Sequence, residues 1–133
     1  MIVQRDDLRS IFDVTDLGEP SKIVGIEISQ TSTSLTISQP LYVDSILKKF
    51  KMIDANPVSM PLDPNIKLKP NDDGCKPNHS NDYTLLLGSL QYLAIAMRPD
   101  IAYAINWLAV YTTNLSFEHY GAAKRLLRYV KGT

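Results

Sequence analysis

Apolar and polar residues follow three different patterns along the chain. In the first part, Ile23, Val24, Ile26 and Ile28 partly alternate with polar neighbours. Leu35, Thr36 and Ile37 resume the pattern after a Ser/Thr/Gln stretch. Two β-branched runs joined by residues 30–34 predict a β-hairpin. Ahead of it, residues 5–12 predict a short helix, closed by the turn residues Asp16-Leu17-Gly18-Glu19-Pro20. Ser38 is placed to cap a helix with Pro40 in its first turn and Tyr42, Val43, Ile46, Leu47 and Phe50 on one face.

Residues 53–80 break the periodicity. Pro57, Pro61, Pro64, Pro70 and Pro77 exclude a continuous helix and predict a connector, either packed as extended chain over the core or mobile in part. Beyond it, three-and-four spacing returns. Leu86, Leu90, Leu93 and Met97 predict a helix capped at Ser80 or Asp82. Pro99 and Asp100 suit the first turn of a second, with Ile101, Ile105, Leu108 and Ala109 as its inner stripe. Ser116 caps a third, whose inner face is Ala123, Leu126, Leu127 and Val130, with Leu115 and Tyr120 spaced as a hydrophobic staple.

Composition narrows the picture. At 133 residues, 44% of them hydrophobic, the chain is long enough for one folded domain with its own core. No apolar stretch approaches the ~20 residues that span a bilayer, and the first seven residues do not read as a signal peptide. The single Cys75 excludes an internal disulfide framework and a cysteine-rich zinc site. Formal net charge is zero, but it is segregated. Up to Leu47 three basic residues face seven acidic ones; from Lys48 onward eleven basic residues face seven acidic ones. A neutral total therefore does not exclude a polyanionic partner.

Local catalytic signatures are weak. Tyr42-Val43-Asp44-Ser45 approaches an aromatic-x-Asp-Asp turn but lacks the second carboxylate and lies in a helical pattern. Asp72-Asp73-Gly74 pairs two acids in a proline-rich loop, where a solvated turn is the simpler reading. His79 and His119 form no metal-ligand spacing, and an ordinary surface or half-buried histidine is expected at 119. Nothing near Cys75 would activate its thiol. The basic residues say more. Lys124, Arg128 and Lys131 align on one helix face, with Arg125 offset, and Lys48, Lys49 and Lys51 cluster at a helix end. Such stripes suit a phosphate backbone, the competing reading being a solvated face.

Several ordered strings resemble the copia-type (pseudoviral) LTR-retrotransposon reverse transcriptase. They include Phe12-Asp13-Val14-Thr15-Asp16-Leu17-Gly18-Glu19, Ile23-Val24-Gly25-Ile26-Glu27-Ile28 and Ile37-Ser38-Gln39-Pro40-Leu41-Tyr42. Further on stand Ile46-Leu47-Lys48-Lys49-Phe50-Lys51-Met52, Pro57-Val58-Ser59-Met60-Pro61 and Leu87-Gly88-Ser89-Leu90-Gln91-Tyr92-Leu93-Ala94. Arg98-Pro99-Asp100-Ile101 and Lys124-Arg125-Leu126-Leu127-Arg128-Tyr129-Val130-Lys131-Gly132-Thr133 complete the series, which runs from about residue 8 to the end. Ile23 and Val24 replace an aromatic residue and a leucine of the family, Thr84 a frequent basic residue, and Met97 a common threonine.

The resemblance implies an α+β fold in which an N-terminal helix and β-hairpin precede a thumb-like helical bundle. Residues 1–39 would be the end of the palm, 40–52 a helix, 53–80 the connector and 81–133 thumb or connection helices of a single partial domain. It implies that the catalytic Tyr-x-Asp-Asp turn precedes this segment and the RNase H domain follows it. Catalytic and metal-ligating residues would then be absent, and the Mg2+ of the complete polymerase would be held elsewhere. Ile23, Val24 and Gly25 match the primer-grip hairpin. Lys48, Lys49, Lys51, Lys124, Arg125, Arg128 and Lys131 are the candidate contacts to nucleic-acid backbone. The implied partners are an RNA–DNA hybrid or DNA template-primer and the fingers–palm and RNase H portions of Pol, in an intracellular setting without a membrane. The alternatives are a noncatalytic interaction module that docks on a fingers–palm partner or self-associates, and a degenerate retroelement remnant.

Overall fold

The computed structural model describes residues 2–71 and 80–133. Asp72, Asp73, Gly74, Cys75, Pro77 and His79, each considered above, lie outside the described residues. The fold is α+β and divides into two compact units, Met1–Ser38 and Gln39–Thr133.

The first unit holds helix α1 (Ile2–Ile11) and an antiparallel sheet of β1 (Lys22–Ile23), β2 (Ile26–Gln30) and β3 (Leu35–Ser38), in that order. The expected strand over 23–28 is two strands. Ile23 pairs with Ile26 across a two-residue turn, where Val24 and Gly25 both take positive φ, 50° and 80°. Positive φ at both central residues is the twist a tight hairpin turn needs, and Gly25 takes it freely. Val24 does so against the steric preference of a β-branched side chain. Lys22 faces Glu27 beside this turn, and Ile28 faces Ile37 in the second hairpin. That hairpin closes through Thr31 and Ser34, whose main chains and hydroxyls hydrogen-bond one another. Arg9 pairs with Asp16 at 2.9 Å, tying α1 to the turn that follows it. No large apolar side chain described in this unit is buried. Leu8, Ile11, Phe12, Val14 and Leu17 of the helix and turn are exposed, as are Leu35 and Ile37 of β3.

The second unit contains the core. Helix α2 (Pro40–Lys49) starts at Pro40, as expected, but its N-cap is Gln39; Ser38 is the last residue of β3 and cannot cap. The helix ends with Lys51 at φ 55°, and the main-chain N–H groups of Met52 and Lys51 donate to the carbonyls of Leu47 and Lys48. This is a Schellman closure with lysine at the position glycine prefers, and Met52 folds back into the core. Helix α3 (Ser80–Ala96) is followed by a 3-10 turn (Pro99–Ile101), helix α4 (Ala102–Ala109) and helix α5 (Phe117–Gly132). Leu86, Leu90 and Leu93, then Ile101, Ile105 and Leu108, then Leu126, Leu127 and Val130 interlock in one cluster with Ile46 and Leu47. Ala104 rather than Ala109 faces inward from α4, and Ala109 is exposed. Tyr83 is fully buried and donates its hydroxyl to the Leu108 carbonyl at 2.6 Å, so its polar end is satisfied inside the core.

The described part of the connector has turns but no helix or strand, and it lies against the helices. Leu68 is buried, Tyr111 donates its hydroxyl to the Leu68 carbonyl, and Asn71 donates its side-chain amide to the Leu115 carbonyl at 2.8 Å. Pro57 presses on Gly132 closely enough that a Cβ there would stand 2.8 Å from the proline Cβ. Among the described residues, no helix is long and apolar enough to cross a membrane.

Candidate nucleic-acid interface

Helix α5 is organised from its cap. Ser116 is the N-cap, and the third helical position, where a capping box usually has Glu or Gln, is His119. The Ser116 N–H donates to His119 Nδ1 at 2.9 Å, which fixes Nδ1 as an acceptor. The ring is fully buried, stacks on Tyr111 at 4.2 Å and 23°, and faces the Lys69 main chain. Burial holds its pKa below the usual value, which keeps the imidazole neutral. The histidine expected at the surface or half-buried is thus a core residue, because its Nδ1 serves a helix end that has no solvent.

The four basic residues of α5 are half-buried, and the connector runs past them. Lys131 Nζ donates to the carbonyls of Ile53 and Ala55, the latter at 2.9 Å. Arg128 Nε donates to the Asn56 carbonyl at 2.6 Å, and the Arg128 carbonyl accepts from the Val58 N–H. Arg125 stands 3.8 Å from an Asp63 carboxylate oxygen, while its Nε is buried with no hydrogen-bond partner among the described residues. Lys124 Nζ lies 4.4 Å above the Tyr120 ring. The stripe therefore exists as a row on α5, but Lys131 and Arg128 spend donors on connector carbonyls. Charge-assisted bonds of this kind contribute about 1.5–3 kcal/mol each.

Lys48, Lys49 and Lys51 are exposed at the end of α2, with Lys49 Nζ 5.7 Å from the Phe50 ring centre. Lys48 and Lys131 line one cleft of about 340 Å³ with Asp44. The helix-end cluster and the α5 row thus meet at a single point. Ile23 ends β1, and Val24 and Gly25 form the β1–β2 turn; all three are exposed, Val24 at 77%.

One surface was not singled out by sequence reasoning. Helix α3 carries no charged residue after Asp82, and its outward face presents Leu85, Gly88, Tyr92 and Ile95, all exposed. Their spacing of three, four and three residues places them on one side of the helix. Tyr92 is fixed edge-on to Tyr42 at 5.0 Å, and Tyr42 donates its hydroxyl to the Ser89 carbonyl. A Cβ on Gly88 would meet nothing within 4 Å. Glycine inside a helix costs about 1 kcal/mol relative to alanine, and no described contact requires it here. The sequence signal was a second apolar series out of phase with Leu86, Leu90 and Leu93.

Two of the quoted strings meet in space. Arg98 grips the Asp100 carboxylate through both oxygens, at 2.9 and 2.8 Å, and also donates to the Thr133 hydroxyl at 2.6 Å. Tyr129 donates its hydroxyl to the same carboxylate at 3.1 Å. Hydrogen bonding from Arg98 holds the Asp100 carboxyl below its usual range, and the same bond raises the guanidinium pKa. The cluster ties the start of α4 to the end of α5. Among the described residues, no three His, Cys, Asp or Glu side chains converge to hold a metal ion, and Asp44 stands exposed on α2.

Residues 3–64 match the family model described as "Reverse transcriptase (RNA-dependent DNA polymerase)". The chain is 38% identical to a retrovirus-related Pol polyprotein from transposon TNT 1-94 of Nicotiana tabacum, over 97% of its own length and 10% of the polyprotein. It is 41% identical to the corresponding polyprotein from transposon RE1 of Arabidopsis thaliana, over 96% of its length and 9% of that protein. An uncharacterized mitochondrial protein of the same plant is 36% identical over 95% of this chain and 51% of its own length. The chain therefore spans about a tenth of the two polyproteins. No solved structure matches it.

Proposed function

The chain belongs to the copia-type retrotransposon reverse transcriptase family, and from that premise we propose that it is a template-primer-handling segment that holds an RNA–DNA hybrid without performing phosphoryl transfer itself. The observation that carries this reading is Gly88. It sits at the middle of an uncharged, exposed helix face, flanked by Leu85, Tyr92 and Ile95, where the fold leaves open space. A hybrid duplex has a wide, shallow minor groove lined by sugars and base edges, read by shape more than by charge. A helix face without charge and with a glycine at its centre lets its backbone come close to such a surface. The cations at the end of α2 would then meet phosphates beside the groove. Two-metal polymerase chemistry needs converging carboxylates, and the described residues offer no such group. On this reading, the Mg2+ of a complete polymerase would be held by other parts of Pol.

Gly88 also supplies the test. Gly88→Ala should raise the melting temperature, and Gly88→Leu should leave the fold intact, because nothing opposes a side chain there. Fluorescence anisotropy with an RNA–DNA hybrid at low salt should show binding by the natural chain and a loss of about tenfold or more in Gly88→Leu, a change of about 1.4 kcal/mol. Equal affinity in the folded variant would overturn the proposed face; no binding by the natural chain would overturn hybrid handling.

A second reading draws on the first unit. Its exposed Ile11, Phe12, Leu17 and Leu35 suit burial against another polypeptide, and the fingers–palm portion of Pol is the proposed partner. Light scattering over a dilution series, with and without a separately produced fingers–palm chain, tests it. A monodisperse chain that ignores the added partner would contradict it.

A further inference from the structure

We infer that the cleft between α5 and the connector is a phosphate site for the nucleic-acid backbone, with Lys67 and Arg125 as its binding cations. The inference rests on the hybrid-handling reading and assigns a second contact, apart from the α3 face. The cleft measures about 510 Å³ and is lined by Lys67 from the connector and by Glu118, Gly121, Arg125 and Arg128 from α5. The α5 residues fall at intervals of three, four and three, so they form one wall. Three cations against Glu118 make this cleft net positive, and Asp63 adds one acid at its edge.

The donors differ in availability. Arg128 Nε is committed to the Asn56 carbonyl. Arg125 keeps a buried Nε with no hydrogen-bond partner among the described residues, and its approach to Asp63, at 3.8 Å, is too long for a hydrogen bond. A buried guanidinium N–H left without an acceptor is costly, and a phosphate oxygen is the acceptor that its planar fork fits. Lys67 is exposed across from it and adds a mobile point charge. Gly121 opens the floor. A Cβ there would meet nothing within 4 Å, so this second mid-helix glycine also weakens its helix without serving the packing. Lys131, by contrast, is occupied by connector carbonyls, and Lys124 lies over a tyrosine ring outside the cleft.

The experiment measures hybrid affinity against salt for the natural chain, Lys67→Gln, Arg125→Gln and, as a charge control outside the cleft, Lys69→Gln. Each cleft variant should reduce the slope of log K against log salt by about one phosphate contact, and the control should not. A separate arm titrates inorganic phosphate while following the Arg125 Nε–H resonance, which should shift in the natural chain and stay put when Gly121→Leu fills the floor. Unchanged slopes in folded variants overturn the phosphate site while hybrid handling stands. A phosphate-dependent shift without any hybrid binding keeps the site for free phosphate groups and overturns the nucleic-acid source. Absence of both effects overturns the inference outright. Should Arg125→Gln unfold, the exposed Lys67→Gln carries the test.

Discussion

Among the described residues of the helical unit, twenty apolar residues are buried, drawn from α2, α3, α4, α5 and the segments that join them. In the sheet unit, the described large apolar side chains stay exposed or half-buried, and Leu17 is 92% exposed. Both units have regular hydrogen-bonded elements, so backbone pairing does not separate them. What separates them is whether each apolar stripe finds another to cover it. Four helices and a strap can enclose a cluster; one helix and a three-stranded sheet of short strands have no second layer to close against. The lesson is that one chain can carry a self-sufficient unit beside one whose stabilising surface is still uncovered.

The sharpest way to break this comparison is to separate the units. A chain of residues 39–133 should melt cooperatively and keep slow amide exchange in α3 and α5, whereas residues 1–38 alone should show neither. A cooperative transition in the isolated first unit would remove the distinction. Next in size come core truncations. Leu90→Ala or Leu126→Ala, each at a fully buried position, should cost about 2–5 kcal/mol in chemical denaturation. Leu35→Ala, on the exposed side of β3, should change stability by about 0.5 kcal/mol or less.

A smaller effect distinguishes the helical unit by pH. His119 has its folded pKa below the usual 6.5, so the unfolded chain takes up the proton first as pH falls. Its contribution is fully present above about 6.5 and is lost as pH falls toward the folded value. Thermal melts across that range should show stability rising with pH. His119→Gln, which retains a capping acceptor, should flatten the dependence even if the fold is weaker. Asp100, held low by Arg98, acts in a separate window: its contribution is present above the usual 3.8 and lost below it. One further expected change is a gain. Lys51→Gly, at a left-handed helix end, should stabilise the unit by about 1 kcal/mol, read as a higher melting temperature.

The helices of the second unit were legible because their inward faces repeat at helical spacing, and that spacing reports burial directly. The β1–β2 turn was hidden because Val24 is β-branched and reads as strand; only the demand for positive φ at two positions breaks the run. The α5 cations were legible as a row, but not their partners, since the carbonyls of Ile53, Ala55 and Asn56 come from a segment about seventy residues earlier whose path no local pattern encodes. His119 was misplaced for a related reason: its capping role depends on Tyr111 and Lys69 closing over it. The outer face of α3 escaped notice because a helix apolar on several sides gives no single stripe to read.

The clasp of Arg98, Asp100, Tyr129 and Thr133 has an evolutionary consequence. Four side chains share one carboxylate and one guanidinium, though up to 35 residues separate them in sequence. Loss of the Asp100 carboxylate would leave Arg98 only the Thr133 hydroxyl as acceptor and the Tyr129 hydroxyl without its own, so the relaxed constraint would pass to every member at once. Among descendants of this sequence, the two distant motifs should drift together: they are one heritable unit written in two places.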